Sequence, residues 1–151
     1  MKLILNERPK LTKKHLNFAI AHKNAYGVSI SDEEYDELLC NIAEDKFIDR
    51  YDRSQKCYEI YDNDVYIGDI LFCHYDNEIS ISIFDEYANK GYAYRAIKLF
   101  LEKYYLDIHW FEAVIKEKNK NMEIVEKLLL KLGFEMQYTS STGEHVWDFN
   151  R

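Results

Sequence analysis

Residues 78–101 read EISISIFDEYANKGYAYRAIKLFL, and the change of rhythm inside this stretch decides the fold. From Glu78 to Phe84 the residues alternate. Ile79, Ile81 and Ile83 take one face and Glu78, Ser80, Ser82 and Phe84 the other, as a strand requires. From Ala93 to Tyr105 the period becomes helical, with Ala96, Ile97, Phe100, Leu101 and Tyr104 on one stripe. The joining loop, DEYANKGYA, carries Gly91 where the helix begins. A helix start leaves backbone N–H groups without partners and gathers positive partial charge, so main-chain donors there can cradle a pyrophosphate. A glycine at that point removes the side chain that would hold phosphates off.

Working upstream, Tyr58 to Tyr61, Val65 to His74 and Glu78 to Phe84 read as an antiparallel meander, with turns at Asp62 to Asp64 and at Asp76-Asn77. Before it, Ser31 followed by Glu34 forms a capping box for a helix carrying Tyr35, Leu38, Leu39 and Ile42. Thr12 caps an earlier helix with Leu16, Phe18 and Ile20, which stops near Gly27, and Lys2 to Asn6 forms a first strand. Working downstream, a strand over Ile108 to Lys116 leads to a helix over Asn121 to Leu132, closed by Gly133 as a left-handed cap. Phe134 to Tyr138 and Glu144 to Phe149 make a final hairpin across Ser140 to Gly143.

The whole, residues 1–151, reads as a single mixed α+β domain with no linker or repeat. Apolar residues at 47% and charged residues at 31% suit a packed core. A net charge of -7 argues against nucleic acid as a partner. Cys40, Cys57 and Cys73 form no C-x-x-C pair, so neither a disulfide framework nor a zinc site is expected. His74, His109 and His145 stand apart from carboxylates at ligand spacing, and no metal is expected. No apolar run approaches the roughly 18 residues that cross a bilayer, and residues 1–7 hold no signal-peptide core, so the expected place is the cytoplasm.

The loop Ala88-Asn89-Lys90-Gly91-Tyr92-Ala93 resembles the R/Q-x-x-G-x-G/A signature of the GNAT superfamily of N-acetyltransferases. Glu78 to Tyr87 is similar to that family's fourth strand and its exit. Glu112-Ala113, Asn119 and the Lys131 to Phe134 stretch KLGF are similar to its second cofactor half-site. The narrower resemblance is to the branch that acetylates ribosomal protein N-termini. The family's layout implies a twisted, mostly antiparallel sheet of about six to seven strands in the order β-α-α-β-β-β-α-β-α-β-β.

That resemblance implies acetyl-coenzyme A as cosubstrate, with amides of Asn89, Lys90, Gly91, Tyr92 and Ala93 on the pyrophosphate. It also implies that Ile83 and Phe84 pair with the pantetheine arm, that the Lys90 ammonium adds charge near a phosphate, and that Asn119, or alternatively Asn121, fills the asparagine role. Ala88 stands where the family keeps glutamine or arginine, and Leu129 where many relatives keep a tyrosine acid. Tyr138 and Tyr94 are the alternatives for that acid.

Acyl transfer to an amine needs a base, an oxyanion stabiliser and a proton for the thiolate. Glu78, at the start of the fourth strand, stands where the resembled family often keeps its general base, and is the base that the resemblance implies. The acceptor that the resemblance implies is a primary amine on a peptide N-terminus, a lysine or a small molecule, expected between the first two helices and the final hairpin. The alternative is a non-catalytic relative that binds an acyl-coenzyme A or another protein. An edge strand near the C-terminus offers a surface for a homodimer.

Overall fold

The computed structural model describes residues 1–151. Its centre is a seven-stranded sheet in the order β1-β2-β3-β4-β5-β7-β6. The strands are β1 (Lys2–Asn6), β2 (Gln55–Asp62), β3 (Val65–Cys73), β4 (Glu78–Ile83), β5 (Trp110–Ile115), β6 (Glu135–Thr139) and β7 (His145–Asn150). All neighbours are antiparallel except β4 and β5, which pair in parallel at Glu78↔Glu112 and nowhere beyond. A sheet whose two central strands share one register point must open along the rest of their length.

The helices are α1 (Lys13–Ala21), α2 (Lys23–Tyr26), α3 (Asp32–Ala43), α4 (Tyr92–Lys103) and α5 (Met122–Leu132). The expected first helix ends early, at Ala21, and a short α2 follows, stopped by Gly27 in the left-handed region at φ 65°. Thr12 and Ser31 cap α1 and α3 through His15 N–H and Glu34 N–H. Gly133, at φ 97°, closes α5, with the Phe134 N–H donating back to the Leu129 carbonyl (2.9 Å) as in a Schellman cap.

One sheet face carries the apolar core. Ile60, Ile70, Phe72, Phe111 and Ala113 meet Ala96, Ile97, Phe100 and Leu101 of α4 and Leu129 of α5. Phe100 and Phe111 are fully buried, and each contributes about 1.5–3 kcal/mol by leaving water. Ile79, Ile81 and Ile83 lie on this face, as the alternation requires. The opposite face meets α1, where Leu16 and Phe84 are buried, but α3 has no buried residue at all. No helix is long and apolar enough to cross a membrane.

β3 and β4 approach closely at Gly68, where an added Cβ would fall 2.1 Å from the Ser82 carbonyl oxygen. Only glycine permits that contact, which sits at an irregularity in the β2–β3 ladder between Ile60 and Tyr61.

Candidate active site

The loop that leaves β4 makes a 3₁₀ turn over Asp85–Tyr87 and then reverses through Asn89 (φ 60°) and Gly91 (φ 79°) into α4. Along this path the main-chain N–H groups of Asn89, Lys90, Gly91, Tyr92, Ala93 and Tyr94 donate to no protein acceptor. The first amide to re-enter the helix ladder is that of Arg95, bonded to the Gly91 carbonyl (3.2 Å). A Cβ built on Gly91 would meet nothing within 4 Å, so the glycine serves the positive φ and leaves open space beside the donors. Such a row of unpaired donors at a helix start fits a diphosphate. Lys90 is exposed and its ammonium donates to the Glu86 carbonyl (3.3 Å), inside the loop.

The opening between β4 and β5 supplies the second element. The Phe84 N–H donates to the Ile67 carbonyl (3.0 Å), which sets the parity of the β3–β4 ladder. Main-chain groups of Ser80 and Ser82 therefore face β3, and those of Ile81 and Ile83 face the side that β5 has left. Ile83 thus stands on the edge that β5 has left. Phe84 does not: its amide is engaged, its carbonyl accepts from the Tyr87 N–H (2.9 Å), and its ring is buried against His15, Phe18 and Tyr66. The open edge ends at Ile83 because the ladder to β3 continues one residue past the strand.

Across the opening, Asn119 and Asn121 line a recess of about 90 Å³ together with His22, Asn24 and Ala25. The Asn119 side-chain oxygen accepts from the Asn121 N–H (2.9 Å), so Asn119 shapes the entry to α5. Asn121 is the N-cap residue and its side chain makes no capping bond.

Glu78 lies at the point where β4 and β5 still touch. Register aligns it with Glu112 of β5, Glu112 with Asp148 of β7, and Asp148 with Glu135 of β6, a row of carboxylates across four strands. Like charges directly opposite one another destabilise a sheet, so the row is a departure from what stability favours. Burial first, then the charges of Asp76 and Glu112, push the Glu78 carboxyl up to about 7, against a counter-pull from Lys116. Burial and the Asp76 and Asp148 charges also raise Glu112. A carboxylate poised near neutrality is suited to accept a proton from an amine.

Sequence reading missed three features. A buried network on the α1 face joins Arg50, Asp69, Tyr66 and Tyr51: Arg50 donates to Asp69 (3.1 Å) and Glu59 (3.2 Å), and Tyr51 to Asp69 (2.6 Å). His15 reaches Tyr66 (2.8 Å) and Thr12 (2.6 Å), and burial, then Arg50, lowers its pKa to about 4. The signal was Asp69 itself, a lone carboxylate inside the apolar run of β3. Second, the Tyr26 hydroxyl donates to the Ile81 carbonyl (2.9 Å) on the open edge of β4. Third, the carboxylate row needed strand pairing to be seen. Of the tyrosines considered as acids, Tyr138 is 58% exposed on the edge strand β6, and Tyr94 lies under the Lys131 ammonium, 4.4 Å from its ring centre.

Residues 7–135 match the family model described as an acetyltransferase (GNAT) domain. No curated protein sequence matches the chain. Among solved structures, the chain is similar to a domain from Methanocaldococcus jannaschii DSM 2661 (16% identity, TM-score 0.60, 99% of each chain covered). It is similar to a GNAT-family acetyltransferase from Bacillus anthracis (15%, TM-score 0.60, 99% and 98% covered). It is also similar to the spermidine N-acetyltransferase of Vibrio cholerae in complex with CoA and spermine (19%, TM-score 0.56, 97% and 92% covered). At such identities these structures show a shared fold alone. None of the comparisons carries the narrower resemblance to the ribosomal-protein branch. With the family model spanning most of the chain, the protein belongs to the GNAT acetyltransferase family.

Proposed function

We propose that the protein transfers the acetyl group of acetyl-coenzyme A, the cosubstrate of its family, to the primary amine of a small cationic acceptor. The observation that carries this reading is the run of unpaired amides from Asn89 to Tyr94, beside a strand edge that β5 leaves at Ile81 and Ile83, where the Ile81 carbonyl accepts from the Tyr26 hydroxyl. The amides hold the pyrophosphate, and the edge receives the amide groups of the pantetheine arm as a further strand would be received. Glu78 takes the amine's proton, and Lys90 and Asn121 complete the cradle at its two sides.

The acceptor's charge is argued from the carboxylate row. Glu78, Glu112 and Asp148, with Asp76 at the turn, place negative charge where the amine must arrive, and the net charge of -7 favours the approach of a cation. The fold shared with a spermidine acetyltransferase adds to a polyamine-like acceptor over a peptide N-terminus. Calorimetry with acetyl-coenzyme A tests the first half, and free-thiol release across polyamines, amino acids, aminoglycosides and peptides tests the second. Absence of any binding heat overturns the reading. Thiol release with neutral peptides but not with polyamines overturns the choice of acceptor.

A second reading, an acyl-coenzyme A binder without catalysis, is favoured by Leu129, which is buried in the core where relatives keep a phenol. Amine-dependent thiol release that slows in Glu78→Gln excludes it.

A further inference from the structure

The relatives' acid is missing at Leu129, yet a phenol stands at the open edge from another direction. Tyr26, the last residue of α2, sends its hydroxyl to the Ile81 carbonyl at 2.9 Å. That carbonyl faces the opening between β4 and β5, between the edge at Ile83 and the base at Glu78. Several contacts fix the phenol there. His22 bonds to Asp85 (2.7 Å) and Lys14 to Glu86 (2.5 Å), pinning α1 and α2 to the 3₁₀ turn that leaves β4. The Tyr26 ring packs on Phe18, and Gly27 at φ 65° turns the chain directly behind it.

We propose that Tyr26 is the residue that donates a proton to the departing sulfur, doing from α2 what a tyrosine on the last helix does in relatives. The inference rests on the acetyl-transfer reading above. The amine lone pair forms the C–N bond, the C–S bond breaks, and its electron pair leaves on sulfur. Sulfur takes the Tyr26 proton, the amine's proton passes to Glu78, and solvent returns that proton to the phenolate. Thioester and amine thus become amide and thiol with nothing else consumed. Tyr26 is 40% exposed, and its partial desolvation, then the Asp85 charge, raise its pKa, so the hydroxyl is protonated at neutral pH.

The test compares wild-type protein with Tyr26→Phe in three measurements: the dissociation constant of acetyl-coenzyme A, kcat with an amine, and the pKa of the thiol of bound coenzyme A, followed by thiolate absorbance. Loss of the hydroxyl is expected to lower kcat by about tenfold to a hundredfold and to raise the bound thiol's pKa by about one unit, with acetyl-coenzyme A affinity within about twofold. Incorporation of 3-fluorotyrosine at position 26, which keeps the shape and sharpens the donor, is expected to lower the bound thiol's pKa. Unchanged kcat and thiol pKa in Tyr26→Phe overturn the proposal. So does tighter cosubstrate binding with undiminished kcat, which marks the phenol as an obstruction. Tyr138→Phe, on the outer strand, is expected to behave as wild type. Failure of the wild-type protein to bind acetyl-coenzyme A removes the functional reading itself, whereas binding with an indifferent Tyr26→Phe removes Tyr26 alone.

Discussion

The two faces of the sheet are built on different physics. Under α4 and α5 the layer is apolar, with Phe72 and Phe111 of the sheet and Phe100 of α4 closed off from water. On the α1 side, Glu59, Tyr66 and Asp69 of the strands meet Arg50 of the segment before β2 and His15 of α1, and farther along the strands carry Glu78, Glu112 and Asp148. The apolar face holds the molecule together, whereas the polar face carries groups that stability alone would not choose. Residues of the second kind are where a function is to be looked for.

Substitutions on each face should separate these roles. The largest effect is expected from Phe100→Ala, which opens a cavity in the apolar face and lowers stability by about 3–5 kcal/mol, read by chemical denaturation. Next, Asp69→Ala leaves Arg50 buried at one end of its network and is expected to lower stability by about 3 kcal/mol. A neutral Asp69→Ala would show that this network contributes nothing to folding and would sharpen the contrast between the faces. Third, Glu78→Gln is expected to slow thiol release by about a hundredfold while stability is kept, the reverse of Phe100→Ala.

A smaller effect is expected in the pH dependence of stability, where two groups of the polar face oppose each other. Glu78 has a folded pKa raised to about 7, so the folded state binds the extra proton, and its contribution is lost as pH rises through 7. His15 has a folded pKa lowered to about 4, so the unfolded state binds the extra proton, and stability rises with pH from about 4 to 6.5. Glu78→Gln removes the first slope and should leave the second exposed in thermal melts between pH 5 and pH 8, as a gain in relative stability at the higher pH. In turnover the sign for Glu78 reverses, because the base must be ionised: kcat/KM should climb through about pH 7 and flatten above it. The smallest effect is expected from Leu38→Ala on α3, below about 1 kcal/mol, since that helix buries no residue.

Much of this was legible in the residues. The alternation of β4, the stripe of α4, the Ser31 cap and the Gly133 stop each act within a few residues, and each is found where the periodicity puts it. The run of unpaired amides was legible for the same reason, since its donors are consecutive residues of one loop. Tyr26, at the end of an unforeseen α2, lay outside that reach, because nothing near it in sequence says that its hydroxyl meets Ile81. Phe84 was placed on the open edge because strand alternation does not tell where a ladder ends, and its amide bond to Ile67 decided otherwise.

By itself the sequence determined what depends on neighbours along the chain: element types, their caps, and a glycine at the start of α4. The tertiary structure alone decided that β4 and β5 part after Glu78↔Glu112, that carboxylates from four strands fall in one row, and that a phenol from α2 reaches the open edge. The reason is the range of the forces. Backbone periodicity and capping are set by bonds within a few residues, whereas register and burial are set by which distant surfaces exclude water together.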